Sequence, residues 1–325
     1  MERQMSEGVI LRPTPPPTPE PQPGDAPDPP SRLAALHPVS TDSILTFQDA
    51  GHLYFFKNHP IRTSVTSMLK PHWPPFQGAE TIEEFFESWK RNEQSKYSAL
   101  IRYVQRVLGG DDAMAKVAIS ELWDADRDAA AKKGTEMHKL LQYIVEEWPF
   151  SWVETLECKM FRDWLAEFCE REQCVVWRSE LCVVHMVDGL PLVAGQIDLL
   201  LKLVNSDEYI LIDFKRTNPK KSGGVFLNRL QATQRSFGGK TGLQTGPFKE
   251  IEATDFYKYS AQCNAYAYML FHNHGMDARQ RMALLQIHPD LPAAHCVTCP
   301  TMQTEMQELF SMELALAMTE PLGGF

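Results

Sequence analysis

Two apolar runs near the middle of the chain each carry an aspartate where a buried strand would prefer a branched aliphatic residue. Residues 192–204 read LVAGQIDLLLKLV, with Asp198 inside the run, and residues 209–215 read YILIDFK, with Asp213 two places before Lys215. Their lengths, their Val, Ile and Leu content and the polar turn between them predict two strands. The fold must therefore accommodate a carboxylate on each of two otherwise apolar strands.

The alternation of side chains along a strand places Asp213 and Lys215 on one surface and Phe214 on the other. If the two runs pair, Asp198 and Asp213 lie at the same end of the sheet. Two close carboxylates repel each other, and a divalent cation that prefers oxygen ligands, Mg²⁺ or Mn²⁺, relieves the repulsion. Beside phosphate at such a metal, Lys215 could orient a water molecule or neutralise developing charge, which predicts phosphodiester hydrolysis. An Asp-x-Lys after a strand is also common as a solvated strand end, so further residues are needed.

The order of the other elements predicts an α/β protein with a helical N-terminal half. Residues 44–69 alternate as a short β meander, with Ser64 or Thr66 capping a helix. Residues 80–172 have helical spacing in five segments, and one of these is expected to end just before Gly134 and the next to begin just after it. The remaining elements follow in the order strand, strand, strand, helix, strand, strand and helix, at about 174–185, 192–204, 209–215, 254–275, 282–289, 295–299 and 301–318. We expect the strands to surround one site.

Composition divides the chain into three regions. Residues 11–30 contain ten of the 23 prolines and almost no large apolar side chains, so we expect a disordered Pro-rich tail over 1–40. Residues 41–130 form the meander and a helical lead-in, and residues 131–325 form the core that carries the two aspartates. No run of 18 apolar residues and no secretory leader is evident, and seven scattered cysteines suit a reducing compartment, so we expect a soluble, intracellular protein without a membrane partner.

Positive charge is concentrated in a segment that directly follows Lys215. The net charge of −10 argues against a protein that coats nucleic acid in general, but residues 216–249 contain seven basic residues and no acidic ones. This basic insert predicts contacts with the phosphates of DNA, which would make binding depend steeply on salt. The candidate phosphate contacts are Arg216, Lys220, Lys221, Arg229 and Lys240. A solvated surface loop is the ordinary alternative.

Four short motifs in order resemble the PD-(D/E)XK nuclease superfamily, in its RecB-like exonuclease branch. They are Gly134-Thr135-x-x-His138, Gly195-x-x-Asp198, Asp213-Phe214-Lys215 and Tyr259-x-x-Gln262-x-x-x-Tyr266. The lead-in Ser64-Val65-Thr66 is similar to that of some phage and viral members. The resemblance spans about residues 134–266. It implies a restriction-endonuclease-like core, a central mixed β-sheet flanked by helices, and a nuclease of the kind used in DNA repair or recombination.

The resemblance also assigns roles to individual residues. It implies that His138, Asp198, Asp213 and the backbone carbonyl of Phe214 bind Mg²⁺ or Mn²⁺, and that Lys215 is catalytic with the two aspartates. Glu180, in the preceding strand, is expected to orient a water molecule or His138, although a strand-edge charge is the ordinary alternative. The helix motif is expected to contact DNA by amide hydrogen bonds and ring stacking, through Tyr259, Gln262 and Tyr266.

Some members of the branch carry an iron-sulfur cluster bound by one cysteine before the core and three after it. Here no cysteine precedes Cys158 and none follows Cys299, so no such cluster is expected. Three functions remain open: a metal-dependent deoxyribonuclease acting on single-stranded or duplex ends, a nucleic-acid-binding module with a retired site, and a phosphodiesterase for small nucleotides. The intact acidic residues, lysine and histidine favour the first.

Overall fold

The computed structural model describes residues 31–73, 75–148, 154–219 and 244–319. Its elements follow the predicted order. The short N-terminal elements are α1 (Arg32–Leu36), β1 (Leu45–Gln48), β2 (Leu53–Phe56), β3 (His59–Pro60), β4 (Thr63–Ser64) and α2 (Val65–Leu69). The helical half contains α3 (Gly78–Arg91), α4 (Ser98–Arg106), α5 (Asp112–Val145) and α6 (Leu156–Glu172). The rest comprises β5 (Cys174–Val187), β6 (Leu190–Leu203), β7 (Tyr209–Lys215), α7 (Asp255–Met269), β8 (Met282–Gln286), β9 (His295–Thr298) and α8 (Gln303–Thr319).

A mixed six-stranded sheet forms the centre of the molecule. β6 pairs with β5 along one edge, and along the other it pairs with β4 near its start and β7 further on. β7 and β8 are parallel, as are β4 and β6, and the remaining pairs are antiparallel. Side chains of α2, α7 and α8 share one apolar core with the sheet, and those of α5 and α6 share another. The predicted α/β class, with a helical N-terminal half and a central mixed sheet flanked by helices, is confirmed.

Helix ends lie at residues whose side chains satisfy the first free amide groups. Ser64, Asp111, Thr155 and Thr254 each accept a hydrogen bond from an amide in the first turn of α2, α5, α6 and α7, respectively. After α7, one turn of π-helix ends at Gly275, whose positive φ of 67° closes the helix as predicted. These local signals explain why the elements predicted from the sequence agree with those of the structure.

Two predicted boundaries differ from the structure. The predicted disordered tail extends too far, because α1 forms within residues 31–40: Leu33 is buried and its amide donates to the Glu146 carboxylate at 3.0 Å. Residues 1–30 lie outside the described residues. The two helices expected on either side of Gly134 are one helix, α5, since a single glycine costs a helix only ~1 kcal/mol.

The helices α3, α4 and the first third of α5 form a three-helix unit with its own apolar core, built on Ile82, Phe86, Ile101 and Ile119. The following part of α5, residues 124–133, is exposed on all sides before the helix enters the core beside the sheet. No helix among the described residues is long and apolar enough to cross a membrane.

Candidate metal centre

The two strand aspartates lie side by side at the centre of the sheet. Leu199 pairs with Ile212 in the antiparallel register of β6 and β7, so Asp198 and Asp213 adjoin this pair and lie at the same end of the two paired strands, as the sequence predicted. The amide of Phe214 donates to Asp198 Oδ2 at 2.5 Å and fixes that carboxylate against the neighbouring strand. Asp213 is buried. The pairing of two apolar runs therefore concentrates negative charge in a largely buried part of the molecule.

His138 reaches this position from α5. Its ring packs edge-on against Phe214, with ring centroids 5.7 Å apart. Nδ1 lies 3.4 Å from Asp198 Oδ1, and Nε2 lies 3.2 Å from the carbonyl oxygen of Phe214. Burial alone lowers the pKa of His138, but the charge and hydrogen bond of Asp198, with Glu180 nearby, raise it to about 9. A protonated imidazole can donate to both oxygens at once, so the ring bridges two of the predicted metal ligands.

Glu180 joins this pair from β5. Its neighbours Ser179 and Leu181 pair with Leu199 and Ile197, so Glu180 occupies the register position opposite Asp198. One ligand atom from each of Glu180, Asp198 and His138 lies within 4.8 Å of the others. Glu180 has a φ of 45°, a left-handed conformation that strains a non-glycine residue and is common at functional sites. The strand is distorted at the one residue that brings a third acidic group to the centre.

Asp213, which is buried, and Lys215, which is partly buried, form an ion pair next to this group. Lys215 Nζ lies 2.6 Å from Asp213 Oδ2, which confirms that the two side chains share one surface. Burial raises the pKa of Asp213 to about 6, with the Asp198 charge adding to it and Lys215 opposing it. Burial lowers the pKa of Lys215, but the two aspartates more than offset this and hold it above its ordinary value. Lys215 is therefore a cation near neutral pH.

The helix α7 positions Lys215 from the other side. Gln262 Oε1 accepts from Lys215 Nζ at 3.5 Å, and the ammonium lies 4.5 Å from the centre of the Tyr259 ring. Gln262 Nε2 in turn donates to the Tyr266 hydroxyl at 2.8 Å. The motif residues of α7 thus form a continuous chain of contacts that ends on Lys215.

Tyr266 is not placed for the predicted stacking on a base. Its side chain is buried, and its ring packs over Gly195 and near Val65. A Cβ atom on residue 195 would lie closer than 3.0 Å to Tyr266 Cε1 and 3.2 Å from Val65 Cγ2. Gly195 is therefore needed because the tyrosine ring lies directly on its backbone. Of the three predicted DNA contacts on α7, Tyr259 and Gln262 are the partly exposed ones.

Sequence reasoning missed Tyr54, a buried residue of β2 in the N-terminal hairpin. Its ring packs with Val184 and Ala194 of the long strands. Burial raises the pKa of Tyr54, and the negative charges of Glu180 and Asp198 contribute to the shift. The short alternation of LYFF predicts only a buried residue here. No signal in the sequence indicates which distant strand the hairpin covers.

The basic insert falls largely outside the described residues. This applies to four of its predicted phosphate contacts, namely Lys220, Lys221, Arg229 and Lys240. Arg216 is described, and its guanidinium donates twice to Glu157 Oε1, at 3.1 and 3.2 Å. A phosphate contact by Arg216 would therefore require this half-buried ion pair to open. Among the cysteines, Cys296 lies on β9 as expected and Cys299 directly follows it, and both are free thiols.

The donor set of the centre suits a hard divalent cation. Two carboxylates and one imidazole converge within one ion's reach, and a third carboxylate and a backbone carbonyl lie next to them. Oxygen donors with one nitrogen are the ligands that Mg²⁺ and Mn²⁺ accept, and among the described residues no thiol is close enough to join the group. The side chains present thus form a candidate metal-binding group of His138, Glu180 and Asp198.

Comparison with known proteins gives little further guidance. No protein-family model and no curated protein matches this sequence. Among solved structures, one named SSO0001 is 14% identical over 74% of this chain and 84% of its own, with a TM-score of 0.26. Another, "Putative exonuclease" from Eubacterium rectale, is 11% identical over 79% of each chain, with a TM-score of 0.29. Structural similarity at this level supports no inference about function.

Proposed function

We propose that this protein is a Mg²⁺- or Mn²⁺-dependent deoxyribonuclease of the PD-(D/E)XK type that hydrolyses phosphodiester bonds at single-stranded or duplex DNA ends. One observation carries the proposal: a His-Glu-Asp group that could bind a metal adjoins the largely buried Asp213–Lys215 ion pair. An ordinary solvated strand end would leave both members of the pair in water. Here the sheet and α7 remove most of the pair from water. Burying charged groups costs stability, and charged groups buried beside potential metal ligands are therefore candidates for a functional site.

His138, Glu180 and Asp198 would hold the cation, with Asp213 and the Phe214 carbonyl as the adjoining donors. When bound, the metal would supply Lewis-acid polarisation of the phosphate and activation of water. The chain itself orients these ligands. The Phe214 amide holds Asp198, and the Phe214 ring holds His138, so one residue sets the position of two ligands.

Lys215 has the role of a fixed cation at the phosphate. Because its pKa lies above the ordinary value, the side chain retains its proton and does not act as a general base near neutral pH. Its ammonium can instead donate hydrogen bonds to the phosphate oxygens as their charge grows in the transition state. The Gln262 amide and the Tyr259 ring restrict the lysine to one direction. This pre-organisation avoids reorienting a flexible side chain during the reaction.

The test is a cleavage assay with purified protein on end-labelled and circular DNA, single-stranded and duplex, with Mg²⁺, Mn²⁺ or chelator. We expect metal-dependent release of nucleotides from the linear substrates and none with chelator. Asp198→Asn should abolish cleavage, whereas Asp207→Asn, an exposed carboxylate in the β6–β7 turn, should not. Cleavage that persists in Asp198→Asn, or that needs no metal, would contradict the proposal. A parallel assay on RNA tests the choice of substrate.

A further inference from the structure

A row of aromatic rings lies on the three-helix unit. Phe76 contacts Trp123 with ring centroids 5.5 Å apart, Trp123 contacts Trp89 at 6.0 Å, and Trp89 stacks on Phe85 at 6.0 Å. Tyr97 lies beneath both tryptophans and is itself buried. Phe76 is 69% exposed and Phe85 is 41% exposed. The row is therefore the solvent-exposed side of an aromatic cluster whose inner side, at Tyr97, is buried.

The two tryptophans of this row differ in their hydrogen bonding. Trp123 Nε1 donates to the Tyr97 hydroxyl at 2.7 Å. The indole N–H of Trp89, which is partly exposed, donates to none of the described residues. Flat aromatic faces beside an available indole donor suit a polyproline II segment, since prolines pack on the rings and a free carbonyl accepts from the indole.

The chain contains a segment of that kind. Residues 13–21 read PTPPPTPEP, with six prolines in nine residues. They lie outside the described residues, which begin at Ser31. The Ser31 hydroxyl donates to the Glu146 carboxylate at 3.1 Å, and the Arg32 guanidinium donates to the Val145 carbonyl. The Pro-rich segment therefore leads into Ser31 at the C-terminal end of α5, the helix that carries Trp123 in its first third.

The distance along α5 from Glu146 to Trp123 is within the reach of the Pro-rich segment from Ser31. At ~1.5 Å per residue, Trp123 lies ~35 Å up α5 from Glu146. A polyproline II segment rises ~3.1 Å per residue, so Pro19 can reach ~37 Å from Ser31 and Pro15 ~50 Å. On the same scale Asp25 can reach ~19 Å from Ser31, about as far as the exposed Lys132 and Lys133 lie along α5 from Glu146. The Pro-rich segment is therefore long enough to reach the aromatic row, and docking there would bring an acidic residue near basic ones.

We infer that residues 13–21 of the chain dock in cis on the aromatic row formed by Phe76, Phe85, Trp89 and Trp123. The exposed middle of α5 then serves as the track along which residues 22–30 return to Ser31. This surface lies on the three-helix unit, away from the metal centre. The inference is therefore independent of the proposed nuclease activity.

The test compares indole N–H spectra of the ¹⁵N-labelled full chain with those of a variant in which Pro15, Pro16, Pro17 and Pro19 are changed to Ser. Trp89→Phe assigns the Trp89 signal by its loss. We expect that signal to move in the serine variant and to return when a synthetic peptide of residues 11–30 is added. In the intact chain the tethered segment competes with the added peptide at an effective concentration in the millimolar range. The intact chain should therefore bind the peptide at least ~10-fold more weakly than the serine variant does.

Tyr103→Ala is the matched control, because Tyr103 is an exposed aromatic residue on α4 that does not contact the row. It should leave the Trp89 signal and the peptide titration unchanged. An unmoved Trp89 signal in the serine variant would overturn the inference. Equal binding of the peptide by the intact chain and the serine variant would also overturn it. A Trp89 shift that depends on protein concentration would overturn docking in cis, because it would assign the surface to a second copy.

Discussion

The close approach of Tyr266 to Gly195 leads to a sharp prediction about stability. In Gly195→Ala, the new methyl would lie closer than 3.0 Å to Tyr266 Cε1, whereas ordinary contacts begin near 3.4 Å. The ring must therefore retreat by at least about 0.4 Å. Val65 limits movement of the methyl, at 3.2 Å from it. Tyr266 is buried and its hydroxyl accepts from Gln262, so the ring has little freedom to move.

Overpacking of this kind typically costs ~1–3 kcal/mol of unfolding free energy, and loss of the Gln262 hydrogen bond adds ~1 kcal/mol. Urea denaturation followed by circular dichroism measures the cost. Cleavage should also fall, since Gln262 contacts Lys215. In Gly195→Ala/Tyr266→Leu the clash is absent, so the double variant should be more stable than the sum of the two single effects predicts.

Gly134→Ala is the matched control, because no atom lies within 4 Å of a Cβ built there and the residue is inside α5. It should raise stability by up to ~1 kcal/mol, since alanine favours a helix interior more than glycine does. A Gly195→Ala variant as stable as wild type, or additive effects in the double variant, would refute the packing of Tyr266 on Gly195.

Three further predictions concern the reaction and the DNA. Asp213→Asn and Lys215→Ala should each lower the rate of cleavage by ~10²-fold or more while DNA binding is retained. Single-turnover kinetics measures the cleavage and filter binding measures the DNA affinity. Cleavage at the wild-type rate in both variants would reject the mechanism. Because the pKa of His138 is about 9, a metal ion that binds the ring must displace its proton, and metal affinity should therefore rise with pH up to about 9. Calorimetry in two buffers of different ionisation enthalpy should detect proton release on metal binding by the wild type, and this release should be absent in His138→Ala. Equal proton release in both proteins would exclude His138 as a ligand. A variant that lacks four basic residues of the insert should bind single-stranded DNA with a slope of log K against log salt that is flatter by up to ~3; the four are Lys220, Lys221, Arg229 and Lys240. An unaltered slope would show that the insert is a solvated loop.

The sequence predicted those features that local patterns determine. The length and the Val, Ile and Leu content of the two apolar runs located β6 and β7, and the alternation of side chains along a strand placed Asp213 and Lys215 on one surface. Capping residues such as Thr254 lie at helix starts. The pairing of β6 with β7 followed from the short turn between them. Because strands that are neighbours in sequence usually pair, the order of the two apolar runs is enough to bring Asp198 and Asp213 together.

Long-range packing could not be predicted in this way. The packing of Tyr54 against Val184 and Ala194 depends on which strand the N-terminal hairpin covers. The burial of Tyr266 depends on the backbone of Gly195. Helix spacing alone favours a stacking role for Tyr266, but that spacing does not reveal which face of the helix is covered. The left-handed φ of Glu180 likewise has no local sequence signal.

Binding of Mn²⁺ followed by electron paramagnetic resonance tests the central claim most directly, because it reports on the metal centre without any DNA. Wild-type protein should bind Mn²⁺, and Glu180→Gln and Asp198→Asn should each weaken binding by ~10-fold or more, while Asp207→Asn in the exposed turn should leave it unchanged. Equal Mn²⁺ affinity in wild type and Asp198→Asn would contradict a metal centre formed by His138, Glu180 and Asp198.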